Sequence, residues 1–140
     1  MSRLRSFFVS WSPIVFYYAL IFFFSSVKSP GSIQYPFQHF DKIIHFFEFG
    51  ILGFLLARAF CFHSSSFLVL KKVILFVFLA VAIMAGLDEF HQYFVPPREA
   101  DILDWLADVS GGVVFTVVAF FIYRRKFEKY RHGRPLRSFL

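Results

Sequence analysis

The chain has 140 residues, of which 58% are hydrophobic, 24 are Phe and only 17% are charged; ordinary soluble domains hold roughly 45–50% apolar residues. So short a chain has too little interior to hide that surface from water, and disorder is excluded because disordered chains lack aromatic and aliphatic residues. The net charge of +6 resides in residues 124–140, the remainder summing to zero, so there is no basic folded face of the kind that binds nucleic acid.

In chain order, Arg3 and Arg5 precede an apolar run over residues 7–27, with Pro13 in its early turns. A signal-peptide core is about 7–15 residues long and closes at an A-x-A-like site. This run is longer and has no such site, so it reads as a retained membrane helix. An outward loop over 28–40 leads to a second span from about Ile43 to Phe62. Cys61, the single cysteine, permits no intrachain disulfide and reads as a small buried hydrophobe. After a short turn over 63–67, with His63 solvated, a third span begins beyond Lys71 and Lys72.

The apolar stretch 73–87 gives about 22 Å of helix, short of the roughly 30 Å hydrocarbon thickness. The helix is therefore predicted to continue through Asp88, Glu89, His91 and Gln92 to about Phe94, where Pro96 and Pro97 stop it. A fourth span covers about Ile102 to Tyr123. The fold class expected is all-α, an integral membrane bundle of four transmembrane helices, with a transmembrane domain over 1–123 and a basic tail over 124–140. Of 15 Lys and Arg, 12 fall on the side of the termini. The positive-inside rule places both termini in the cytoplasm, the tail lying against anionic headgroups or only fixing topology.

Ionisable residues in a span are costly and normally face a bundle interior or wet cavity. Here they gather at the outward end of three spans. Asp41, His45 and Glu48 are spaced as one helical stripe, beside Lys42. Asp88 is expected to share a face with His91 and Gln92, next to Glu89. Asp101, Asp104 and Asp108 open the fourth span, and Arg98 lies in the preceding turn. Gly50, Gly53, Gly86, Gly111 and Gly112 are expected to let helix backbones approach closely.

The strings Asp41-Lys42-Ile43-Ile44-His45-Phe46 and Asp88-Glu89-Phe90-His91-Gln92-Tyr93-Phe94, followed by Pro97-Arg98, Asp104 and Gly111, resemble the two signatures of the VanZ-like membrane protein family. The resemblance covers about residues 40–115 and also fits the four-span layout. It implies that Asp41, Lys42 and His45 form a D-K-x-x-H element, and Asp88, Glu89 and Gln92 a D-E-x-x-Q element. Arg98, Asp104 and Gly111 fill the remaining family positions; Asp108 stands where the family usually has Asn. The family's named member is associated with low-level resistance to the glycopeptide teicoplanin, without an established reaction.

Three function classes stay open. In the first, a binding protein of the cell envelope receives an anionic group from lipid or a lipid-linked precursor through Lys42, His45, His91 and Arg98. Asp41, Glu48, Asp88, Glu89, Gln92, Asp104 and Asp108 complete the pocket. In the second, an intramembrane enzyme uses His45 or His91 as general base, oriented by Asp41 or Asp88, with Arg98 stabilising charge. The spacing of His45 with Glu48 and of Asp88 with His91 resembles carboxylate metal sites in bundles, but no resident metal or cofactor is expected. The third is a proton relay or transporter, disfavoured because the cytoplasmic halves offer few polar partners. A purely structural polar lock is the alternative to all three. The expected setting is a bacterial-type inner membrane, with lipids as partners and no nucleic acid.

Overall fold

Hydrocarbon offers no partner to a free amide or carbonyl, so long apolar segments satisfy their backbone internally as helices. The computed structural model describes residues 3–27, 39–63, 70–96, 98 and 100–131; for 3, 61–63, 70–71 and 124–131 it gives the backbone path only. Among these described residues there are four helices: α1 (Arg3–Ser26), α2 (Phe40–His63), α3 (Leu70–Gln92) and α4 (Ile102–Arg131). Each holds a stretch long and apolar enough to cross a bilayer: Leu4–Ser26, Phe40–Phe60, Lys72–Gln92 and Ile102–Tyr123. The chain is thus an all-α, four-helix, multi-pass membrane protein. The loop over 28–38, the turn over 64–69, the tail beyond 131, and the side chains of Cys61, His63 and the basic residues 124–131 lie outside the described residues.

The helix ends differ slightly from expectation. α3 stops at Gln92 rather than near Phe94. The Phe94 amide donates to the His91 carbonyl (3.0 Å) and that of Val95 to the Gln92 carbonyl (2.9 Å), which tightens the last turn. The prolines just beyond explain this, since a residue ahead of proline is disfavoured in helical geometry. α4 runs past Tyr123 to Arg131 because Arg, Lys and Glu there are good helix formers.

The closest backbone approach is between α2 and α4. A Cβ added at Gly53 would come 2.7 Å from Gly112 Cα, and one at Gly111 would come 2.8 Å from the carbonyl carbon of Phe46. Gly50 and Gly112 are tight against the Phe115 ring and Val81 respectively. Gly86 differs, since a Cβ there would meet only the Trp105 ring at an ordinary 3.7 Å. The buried Thr116 Oγ1 donates to the Gly112 carbonyl of its own helix at 2.7 Å and lies 3.3 Å from the Gly53 carbonyl of α2 across the seam.

The core runs along the bundle axis through Phe49, Leu52, Leu56, Val77, Val81 and Ala85, with Ile14 and Ile21 of α1 docking onto it. α1 is the least enclosed helix and leaves Phe7, Phe8, Phe16, Phe23 and Phe24 facing outward. In water such a surface would be a defect; in a bilayer it is the lipid-facing wall. Aromatic contacts of Phe60 with Trp11 (5.5 Å) and Phe76 (4.5 Å) join α1, α2 and α3 at one end of the bundle. The polar contacts gather at the other.

Candidate functional site

The polar end is where α1 and α3 finish and α2 and α4 begin. Asp101 caps α4: its Oδ1 accepts the Leu103 amide (2.9 Å), satisfying a donor that the helix start leaves free. The Asp101 amide in turn donates to Glu89 Oε2 of α3 (2.8 Å). Lys42, in the first turn of α2, reaches across to the same cap. Its ammonium donates to Asp41 (2.9 Å) and Asp101 and lies 2.8 Å from Asp104 Oδ1. The Lys42 hydrogen bond, with that of the Leu103 amide, holds the Asp101 carboxyl below its ordinary value.

One turn deeper, His45 Nδ1 sits 3.0 Å from Asp108 Oδ1, and Nε2 lies 3.9 Å from Asp104 Oδ2. Both partners come from α4, where the i, i+4 spacing aligns Asp104 and Asp108 on one face. Asp108 is fully buried, and His45 and Glu89 are each 8% exposed. On the α1 side, Asp88 Oδ2 accepts from Ser25 Oγ (2.7 Å) and Gln92 Nε2 (2.8 Å). Glu48, half-buried on α2, lies between the two sides, attracted by His45 and Arg98 and repelled by Asp88.

The sequence-predicted residues therefore converge, with three differences. His91 does not join Asp88. It stacks on Phe22 (ring centroids 4.1 Å apart), and its Nε2 lies 2.9 Å from Ser26 Oγ, both partners belonging to α1. The Ser26 hydroxyl also lies 2.7 Å from the Phe22 carbonyl, to which it donates back into its own helix. Lys42, expected to receive an anion, is engaged by three carboxylates, as many as an ammonium has protons. Asp41 belongs to this cage and does not orient His45; Asp108 does.

Three participants were not among the predicted binding residues. The sequence places Asp101 in the polar cluster at the start of the fourth span, and its N-cap spacing before an apolar helix is the signal that could have given its role. Ser25 and Ser26 close an apolar run, where hydroxyls usually bond back to their own helix. Ser26 does so, and nothing in the local sequence marks Ser25 as a partner of Asp88.

Several buried polar atoms have no hydrogen-bond partner among the described residues: Asp88 Oδ1, Glu89 Oε1, Asp108 Oδ2 and Arg98 Nε. Arg98 Nη2 donates to the Phe24 carbonyl at the end of α1 (3.2 Å), which anchors the guanidinium without using its Nε edge. One ligand atom from each of His45, Glu89 and Asp108 fits within 4.8 Å of the others. The arrangement can bind an anion through Arg98, orient an imidazole through Asp108, or gather donors around a cation.

Fold and site together define a class: a multi-pass membrane bundle with a buried polar site at one end. The match to a family model is more specific. Residues 2–123 match VanZ/LLP1, and the chain belongs to that family. No curated protein and no solved structure matches it.

Proposed function

We propose that this VanZ-family protein binds the anionic headgroup of a lipid or lipid-linked cell-wall precursor at the polar end of the bundle. That end faces outward from a bacterial inner membrane, with both termini cytoplasmic, and binding there contributes to glycopeptide (teicoplanin) tolerance. The observation that carries this reading is Arg98. Its guanidinium is held by the Phe24 carbonyl while a buried Nε has no acceptor among the described residues. A guanidinium edge is suited to paired contacts with phosphate oxygens. The lipid-facing phenylalanines of α1 provide an apolar wall next to it for an acyl or prenyl chain.

Native mass spectrometry of the detergent-purified protein tests this reading. Wild type retains a phosphate-bearing lipid and Arg98→Ala loses it; equal adducts on both would overturn it. A second reading, hydrolysis or transfer at a lipid-linked phosphate, is favoured by the His45–Asp108 contact. A carboxylate on one ring nitrogen fixes the other for proton transfer. Turnover of a polyprenyl pyrophosphate that disappears in His45→Ala would select it.

A further inference from the structure

His45, Glu89 and Asp108 come from α2, α3 and α4, so no single helix specifies their meeting. Each of the two carboxylates has one oxygen in use: Asp108 Oδ1 faces His45 Nδ1, and Glu89 Oε2 accepts the Asp101 amide. The other oxygen of each, Asp108 Oδ2 and Glu89 Oε1, is buried and has no donor among the described residues. A buried carboxylate oxygen without a donor needs a proton or a cation. Two of them beside an imidazole, with one ligand atom from each residue within 4.8 Å of the others, match the donor set of a metal ion.

Charge points the same way. Lys42 is already surrounded by Asp41, Asp101 and Asp104, and Arg98 shares its field with Glu48. A phosphate entering this acidic end would meet more negative than positive charge. A divalent ion would reverse that balance and offer open coordination positions to phosphate oxygens.

We infer that His45, Glu89 and Asp108 hold a divalent transition-metal cation of the manganese or zinc kind, which bridges the protein carboxylates to the phosphate oxygens of the bound headgroup. One imidazole with two carboxylates suits these ions better than magnesium, which prefers an all-oxygen shell with several waters. Three protein ligands leave room for exogenous oxygens. The bridging role rests on the headgroup reading above; the ion site itself does not.

The test is a titration of the metal-stripped, full-length protein in detergent with Mn²⁺, following free Mn²⁺ by electron paramagnetic resonance, with Zn²⁺ as competitor. Wild type binds one equivalent that Zn²⁺ displaces. Asp108→Asn and Glu89→Gln, which keep side-chain volume, each weaken binding about tenfold or more, while Ser110→Ala, at an exposed position on α4, binds as wild type. Far-UV circular dichroism and thermal midpoints confirm that the variants compared are folded. Absence of binding in wild type, or equal binding in all four proteins, overturns the metal site and leaves the headgroup reading standing. Ligand-dependent Mn²⁺ binding without any retained phosphate lipid supports the metal site and overturns the headgroup reading alone. Lipid retention that chelator abolishes in wild type supports both.

Discussion

Replacing Lys42 by Met removes the cation that joins α2 to α4 while keeping most of the side chain's length. Its three carboxylates are unequal. Asp41 and Asp101 are 36% and 38% exposed, so water screens those contacts and each is worth about 0–1 kcal/mol. Asp104 is 9% exposed and Lys42 itself 18%. Removing one partner of a buried pair costs about 3–5 kcal/mol, because the remaining charge is left unpaired in low dielectric. Lys42 is not fully buried, so the lower end applies, and Lys42→Met should destabilise the bundle by about 3 kcal/mol. Asp41→Asn should cost less than about 1 kcal/mol. The double variant Lys42→Met/Asp104→Asn should recover much of the loss, since the one buried carboxylate that Lys42→Met leaves unpaired is then neutral, while Asp41 and Asp101 stay solvated. Reversible unfolding in mixed micelles by dodecyl sulfate titration, read by far-UV circular dichroism, measures all three. If Lys42→Met costs no more than Asp41→Asn, or if the double variant loses the sum of the single losses, the cage is a surface feature and the reasoning fails.

Gly111→Ala forces a methyl group onto the Phe46 backbone and should cost about 1–3 kcal/mol or more in the same assay, whereas Gly86→Ala, with ordinary space beside Trp105, should be neutral or stabilising by up to about 1 kcal/mol. Ser25→Ala removes a buried donor from Asp88 and should cost about 1 kcal/mol; Ser26→Ala, at an exposed position, should cost less than half of that. The folded-state pKa of Asp101 lies below its ordinary value of 3.8, so its contribution is complete above that value and is lost as pH falls through the folded value. Thermal midpoints of wild type and Asp101→Asn should therefore differ most at neutral pH and draw together in strong acid; a constant gap would refute the linkage.

The four spans were legible because bilayer thickness sets a length that a composition this apolar satisfies only four times. The polar end was legible for a related reason. Charges inside apolar segments must find each other, and Asp41, Lys42, His45, Asp88, Glu89 and Asp104 all stand at matching ends of their spans. Which of them touch was not legible, because partners depend on the rotation of each helix. Spacing could not tell that His91 turns toward Phe22 while Asp88 turns toward Ser25, or that Asp108 rather than Asp41 holds His45. Nor could it tell that Gly53 and Gly111 set the α2–α4 approach while Gly86 does not, since glycine marks only where contact is permitted.

Photolabelling asks most directly whether the polar end receives a headgroup. A polyprenyl phosphate carrying a diazirine beside the phosphate is irradiated with the protein in bilayers, and adducts are mapped by peptide mass spectrometry. Labelling is expected at the end of α1 near Phe24, the end of α3 and the turn carrying Arg98, and is expected to vanish in Arg98→Ala. Adducts spread evenly along the lipid-facing phenylalanines, indifferent to Arg98, would contradict headgroup binding at this end.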